Sequence, residues 1–404
     1  MTRFSHLIVA ALPLASGLCA AEKFTPLFDG KTLNGWEVCN GFATYRVENG
    51  AIVGRTAEGS PNSFLCTKKE YGDFILEWES KNDPVLNSGV QIRSHRYGAE
   101  AQVRTFNGKQ FVNRKHPAGR VYGYQVEMSN EEAGASGGIY DEARRGWLHN
   151  IASDPVASKA FKDNQWNRYR VEAIGDSMRV FINGVPCANV VDPLDQTGFI
   201  ALQVHQFKGE KPAEVRWRNI RIQDLGRHAW KPIFDGKTTS GWRPTGGGKW
   251  TVEDGAFHAA SIEGNANVGY MMSTAPHMDI TCRIHFKIVK GNSGFFLRFN
   301  PEARMGYEVE IDEAKRTGGF WRIAPQGGGW TTGPEDNAAV KAGDWNELVA
   351  SLHGRRIVFH LNGVKTVDLP NDVNGPLEGF IGLQVHGRMP TEIWFKDIAV
   401  LEKR

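Results

Sequence analysis

Along most of this chain, apolar and polar residues alternate in short runs separated by Gly, Asn, Asp and Pro. Arg168–Ile174 and Met178–Ile182 are such runs, and a period of two is that of strands with one face toward a core. INGVP (182–186) and LNGVK (361–365) place Asn-Gly between two runs, which predicts two-residue hairpin turns. Helical periodicity is scarce, with short turns expected around Pro155–Phe161. Two runs carry unusual polar sets, GYQVEMSN (123–130) and GYEVEIDE (306–313). Alternation sets Gln125, Glu127 and Ser129 opposite Tyr124, Val126 and Met128. It likewise sets Glu308, Glu310 and Asp312 opposite Tyr307, Val309 and Ile311.

The order of the runs repeats. FDGKTLNGW (28–36) returns as FDGKTTSGW (234–242), and NSGVQIR (87–93) as NSGFFLR (292–298). QWNRYRVEAIGDSMRVFING (165–184) returns as DWNELVASLHGRRIVFHLNG (344–363), and GFIALQVH (198–205) as GFIGLQVH (379–386). EVRWRNIRI (214–222) and EIWFKDIAV (392–400) close the two copies. The pattern predicts an all-β chain of two tandem antiparallel β-sandwich domains of the jelly-roll type. They occupy residues 22–226 and 227–404, with the polar stretch Asp224–Trp230 between them.

Composition agrees. A chain of 404 residues exceeds one ordinary core, and 41% hydrophobic with 23% charged residues is the balance of a folded protein. A net charge of +3 is too small to argue for nucleic acid. At the start, Arg3 precedes an apolar run from Leu7 to Leu18 and then Cys19, Ala20 and Ala21. This layout predicts a signal peptide over residues 1–21, cleaved near Ala20 or Ala21, and export to a periplasmic or extracellular space. Cys19 as a lipid anchor fits less well, because Leu18 stands where a small residue is wanted. No segment predicts a membrane span. Cys39, Cys66, Cys187 and Cys282 match no zinc spacing; a Cys39–Cys66 disulfide and free buried thiols both stay open.

Candidate chemistry lies on one face. If Ile200, Leu202 and Val204 face the core, Ala201, Gln203 and His205 face away; by the same rule Gln91, Arg93 and His95 share an open face. With Gln125 and Glu127 this makes a surface rich in amides, Arg and His, groups that make directional hydrogen bonds to hydroxyls and carbonyls. Such a face predicts ligand binding rather than a merely wetted sheet. The second copy repeats it with Arg298, Glu308, Glu310, Gln384 and His386. GGIYDEARRGWLH (137–149) adds Tyr140, Asp141, Glu142, Arg144, Arg145 and Trp147, with aromatic rings for sugar faces and Asp and Arg for hydroxyl pairs. The second copy has GGFWRIAPQGGGW (318–330) there, so the chemistry is placed in the first. The first copy also carries 29 residues (94–122) where the second has 7 (299–305), with Arg96, Arg104, Lys109, Arg114, Lys115 and Arg120 against Glu100. A lid attracting an anionic or oxygen-rich ligand and a solvated excursion are the two readings of that insertion.

Carboxylates at i and i+2 on a strand lie roughly 6.5–7 Å apart, near the spacing of an inverting glycosidase pair. Glu308 and Glu310 meet that condition, but the first copy has Gln125 beside Glu127. A two-carboxylate mechanism is therefore weakly supported.

The blocks FDGK, NSG, GYQVE or GYEVE, WN, NG and the GFI-LQVH run, taken in order, resemble the 3-keto-disaccharide hydrolase family over residues 24–401. The resemblance implies a concanavalin A-like fold and action on glycosides oxidised at C3. A C3 ketone acidifies the C2 proton; a base removes it, and the enolate then expels the group at C1. In that scheme Glu127 or His205 is the base, Arg93 stabilises the enolate, and Asp141 is an acid. Gln91, Gln125, Tyr140, Arg144, Arg145, Trp147 and Gln203 bind the sugar. Arg298, Glu308, Glu310, Asp312 and His386 are the second-copy candidates. The carbonyl oxygen needs a hydrogen-bond donor or a divalent cation, and Glu127, Asp141 and His205 are the candidates to hold such a cation. Relatives tend to carry Asp at the position of Ser129, which the second copy keeps as Asp312. A lectin-like tandem module that holds a glycan without cleaving it is the alternative, and fold alone does not separate the two. In either case the second copy can serve as a carbohydrate-binding or packing domain.

Overall fold

The computed structural model describes residues 23–129 and 135–404, and the expected signal peptide lies outside the described residues. Each copy folds into two antiparallel sheets. In the first, one sheet runs Gly146–His149, Ile139–Glu142, Val121–Met128, Ser88–Arg96, Phe199–Val204, Ser63–Thr67, Trp36–Cys39. This is the site sheet. The back sheet runs Val185–Val191, Ser177–Ile182, Asn167–Ile174, Asp73–Asn82, Glu214–Gly226, Ala51–Arg55, Thr44–Glu48, with Thr25–Pro26 also on Glu214–Gly226. The second copy reproduces both orders, its site sheet centred on Asn292–Asn300 and Met305–Asp312. Glu214–Gly226 closes the first back sheet, and His228–Pro232 pairs with Glu392–Lys403 in the second. Among the described residues the helical element is one 3-10 turn, Ala157–Lys159.

Alternation explains the core. Tyr169, Val171 and Ala173 are fully buried between the sheets, while Arg168, Arg170 and Glu172 point out. Trp78 and Trp217 fill the centre of the first domain, and Phe257, Phe286 and Phe295 that of the second. Each such side chain is worth roughly 1.5–3 kcal/mol of burial.

Most repeated motifs are structural. Asp29 Oδ1 accepts the backbone N–H groups of Lys31 and Thr32 at 2.8 and 2.7 Å, and Asp235 does the same for Lys237 and Thr238. Trp36 Nε1 donates to the Leu27 carbonyl at 3.0 Å, and Trp242 to Ile233 at 2.8 Å. The Asn-Gly turns carry left-handed φ at both residues (52° and 83° at Asn183-Gly184), as a type I′ hairpin requires. Asn183 Nδ2 also donates to Asn167 Oδ1, joining the WN and NG motifs of one copy as Asn362 and Asn346 join those of the other.

The two faces exposed outside the first core differ in kind. The back sheet is covered by a lattice of ion pairs: Arg46 and Arg216 with Glu48 and Glu214, Arg218 with Glu79, Arg168, Arg170 and Arg221 with Glu77. That is an ordinary solvated face, with each exposed pair worth about 0–1 kcal/mol. The site sheet instead carries a network of amides.

The insertion is a two-stranded hairpin, Ala101–Phe106 with Phe111–His116. Its base is fixed by Tyr97, stacked between His116 and Tyr122. Cys39 and Cys66 lie on neighbouring strands in diagonal register, Cys39 opposite Phe64 and Cys66 opposite Glu37, and both are buried free thiols. Burial pushes the Cys66 thiol far up.

The domains are clasped by buried Asp176, on the turn between Asn167–Ile174 and Ser177–Ile182. It accepts hydrogen bonds from Thr281 Oγ1 at 2.8 Å and Ser351 Oγ at 2.5 Å, and its Oδ1 lies 2.7 Å from His353 Nε2. Arg356 Nη1 adds a bond to Asn189 Oδ1 at 2.8 Å.

Candidate functional site

Strand register builds the site in two rows. Gln91, Gln125, Tyr140 and Trp147 stand opposite one another across four strands. In the next row Glu127 faces Gly89, which faces Gln203. Gly89 is required by space, because a Cβ there would lie 2.6 Å from Cγ and Cδ of Gln125.

The amides act in relay. Ser94 Oγ donates to Gln91 Oε1 at 2.8 Å, and Gln91 Nε2 donates to Gln125 Oε1 at 2.7 Å. Gln203 Nε2 donates to the same oxygen at 2.8 Å. Gln125 is thereby oriented with its Nε2 toward Glu127 Oε2 at 3.1 Å, while Asn87 Nδ2 donates to Glu127 Oε1 at 2.9 Å. Glu127 is about 5% exposed, at the floor of a cleft of about 400 Å³. The walls include Asn62, Tyr140, Glu142, Trp147 and His205. Tyr140 and Trp147 meet edge-to-face at 5.3 Å. His205 Nδ1 lies 2.8 Å from the Gln206 carbonyl, which can only accept. Nδ1 therefore carries the hydrogen and Nε2 is the nitrogen left for a ligand. Burial first, then the Glu142 carboxylate, push the Tyr140 phenol up, so it stays a hydroxyl donor at neutral pH.

Several sequence expectations are corrected. Arg93 is absent from the open face. Its φ of 46° breaks the alternation at a bulge, so Ser94 follows Gln91 on the site face while Arg93 turns inward, fully buried. There it donates from Nε to the Gly72 carbonyl at 2.8 Å and from Nη1 to Gly175 at 2.5 Å, and pairs with Asp73 at 3.2 Å. Gly198 presses on this bulge, where a Cβ would fall 2.4 Å from the Arg93 carbonyl carbon. Arg298 is the same device in the second copy, bound to the carbonyls of Met278 and Gly354 and to Asp279.

Asp141 also leaves the cleft. Tyr140 and Glu142 point into it, so Asp141 between them points away, where Arg144 Nε and Arg145 Nε hold it at 2.8 and 2.6 Å. Arg144 continues to Asp195, and Arg145 to Asp192 and across the domain boundary to the Gly363 carbonyl. Neither arginine faces the cleft. Gln91 and Gln203 are fully buried and serve Gln125 rather than a ligand. The insertion is no lid on this cleft, since none of the cleft's lining residues comes from the hairpin. Glu142 and Asn62, joined at 3.1 Å, complete the site, with Arg120 paired to Glu142. Glu142 was legible by alternation from Tyr140. Asn62 carried no signal.

In the second copy Phe296 replaces Gln91 and Ile323 replaces Glu142, and Met272, Phe296 and Phe299 close into an apolar cluster with Tyr270 and Ile323. Burial, and then Glu310, hold the Glu308 carboxyl well above the usual range. Burial likewise raises Glu310, which accepts from Asn292, the counterpart of Asn87. Asp312 caps a turn through the N–H groups of Ala314 and Lys315, and His386 Nδ1 accepts from the Arg388 N–H.

For a metal, Asp141 is committed to two arginines and Glu142 to Arg120 and Asn62. Among the described residues no three His, Cys, Asp or Glu side chains are grouped to hold an ion. The residues present do not fit the cation considered from the sequence.

The model of the 3-keto-alpha-glucoside-1,2-lyase-like domain matches residues 23–223 and again 229–401. Among solved structures, the chain is similar to a candidate glycosyl hydrolase from Parabacteroides distasonis, at 19% identity over 51% of this chain and 95% of that one, TM-score 0.35. It is similar to the carbohydrate-binding module CBM66 from Bacillus subtilis, at 18% identity over 39% and 93%, TM-score 0.32. It is also similar to a Bacillus licheniformis β-glucanase, at 12% identity over 50% and 97%, TM-score 0.31. A comparison with curated proteins gives no match. The chain belongs to the 3-keto-alpha-glucoside-1,2-lyase-like family as two tandem copies, and that membership supports a carbohydrate-active function.

Proposed function

We propose that the first domain cleaves 3-keto-glucosides by elimination, with Glu127 as the base. The carrying observation is a single carboxylate at the floor of a cleft, both of its oxygens met by amide N–H donors and its position fixed by a relay of three glutamines. With the C2–H bond over Glu127, the carboxylate takes the proton and the C–H electrons form the enolate across C2 and C3. As the C3 carbonyl re-forms, C1=C2 closes and the C1–O bond breaks. His205, protonated at Nε2, gives its proton to the departing oxygen. Tyr140 O–H, in the cleft wall, takes the part first assigned to Arg93 and holds the developing C3 oxyanion. The product is a 2-hydroxy-3-keto-glucal, and later addition of water across C1=C2 makes the net reaction a hydrolysis. One base and one acid suffice, which suits a cleft with Gln125 where a second carboxylate would stand.

The test is incubation with a 3-keto-glucoside and analysis for the glucal or the free 3-keto-sugar. Product formation is expected with the intact protein and with the first domain's cleft as its sole source. Glycan binding without turnover would instead make the chain a lectin-like module. Export remains part of this proposal, to be checked by sequencing the mature N-terminus, expected at Ala21 or Glu22.

A further inference from the structure

We propose that a second ligand site lies between the domains and takes a small apolar anion of the aryl-carboxylate type. A cavity of about 510 Å³ opens there, within the range of small-molecule sites. Its walls come from three places: the hairpin unique to the first copy, the edge strands of the first sandwich, and the turn around Asn362 of the second. Its surface is mainly apolar, with Phe106, Phe111, Leu148, Leu194 and Val364 facing it. Phe106 and Phe111 meet edge-to-face at 5.4 Å, and the Arg104 guanidinium lies over the Phe111 ring at 4.5 Å.

Both signs of charge line this cavity, and two of its cations stand apart from the ion pairs. Asp192 is neutralised by Arg145, and Lys365 is paired with Asp368. Glu347 lies 3.7 Å from His285. Among the described residues neither Arg104 nor Lys341, both in the lining, makes an ion pair. His360, about 3% exposed, lines the same space with its Nε2 3.7 Å from Asp192 Oδ2. An apolar, ring-sized space with an arginine stacked on a phenylalanine and a lysine free of ion pairs matches an aromatic ring bearing one carboxylate. The site is separate from the cleft, although Trp147 contributes to the walls of both.

The test is titration of the full chain with 4-hydroxycinnamate and, separately, with its methyl ester, followed by calorimetry or ligand-observed NMR. The carboxylate is expected to bind at least about 5-fold more tightly than the ester, and Arg104→Gln with Lys341→Gln to erase that preference. Phe111→Ala should weaken both ligands. Melting curves verify that the variants fold. No binding at millimolar ligand, an ester as tight as the acid, or a preference unchanged in the double variant overturns the proposal.

Discussion

Arg93 and Glu127 show how differently two polar residues on adjacent strands are used. By alternation both belong on the open face. The left-handed φ at Arg93 swings it between the sheets, where its donors tie the ends of strands together through Gly72, Gly175 and Asp73. Strict alternation cannot reveal a one-residue bulge, so this part of the site was not legible. Arg93→Ala is expected to cost about 3–5 kcal/mol, because Asp73 is left buried and short of a partner. Thermal or urea unfolding checks it; a full-strength fold with lost turnover would return Arg93 to the chemistry. Glu308 gives the opposite expectation. Its carboxyl is raised by burial and by Glu310, so the folded state favours the protonated form. Stability from that preference is present below the ordinary carboxylate range and is lost as pH rises above it. Glu308→Gln, the residue the first copy has at Gln125, should therefore raise the melting temperature of the chain at pH 7–8 and matter little at pH 4.

At the level of elements, the repeated NSG motif becomes intelligible only in three dimensions. Asn87 and Asn292 donate to the carboxylates Glu127 and Glu310, Ser88 and Ser293 to the carbonyls of Gln203 and Gln384, and each Gly leaves room for the neighbouring side chain. The sequence displayed the motif and its partners as recurring blocks without saying that they touch. Hairpins, sheet type and domain order were legible, because Asn-Gly turns and period-two runs are local signals. Asn62 was not, because its place beside Glu142 depends on strands 80 residues apart in the chain. Gly89→Ala is expected to lower the melting temperature, because the buried Gln125 side chain must give up relay hydrogen bonds to make room. It should slow turnover, since Gln125 would no longer hold Glu127. Kinetics beside a melting curve decide it; a large loss of stability with normal turnover would contradict the relay.

Over the whole molecule, two copies of one plan have diverged into unequal halves. Phe296 and Ile323 fill the second site face with apolar side chains, while the first domain keeps the cleft and adds the hairpin. The halves are held by Asp176, and this clasp is pH-dependent. Burial pushes the Asp176 carboxyl up, but the bond and charge of His353 outweigh it and leave it below its ordinary value. Burial pushes His353 down, but Asp176 outweighs that and leaves it raised. The aspartate's contribution is present above about pH 4 and lost as pH falls through its lowered value. The histidine's is present below about pH 6.5 and lost as pH rises through its raised value. The stability difference between the parent chain and Asp176→Asn should thus be greatest near pH 5–6 and shrink toward pH 9, read from melting curves across that range.

In the proposed reaction Glu127, and not the Arg120-paired Glu142 in the same cleft, removes the C2 proton of a 3-keto-glucoside. The most direct test of this step is the rate of glucal formation by Glu127→Gln, measured beside the parent chain under conditions where both are folded. A fall of about 10²-fold or more with an unchanged melting temperature is expected. A variant that forms product at the parental rate would contradict this role for Glu127.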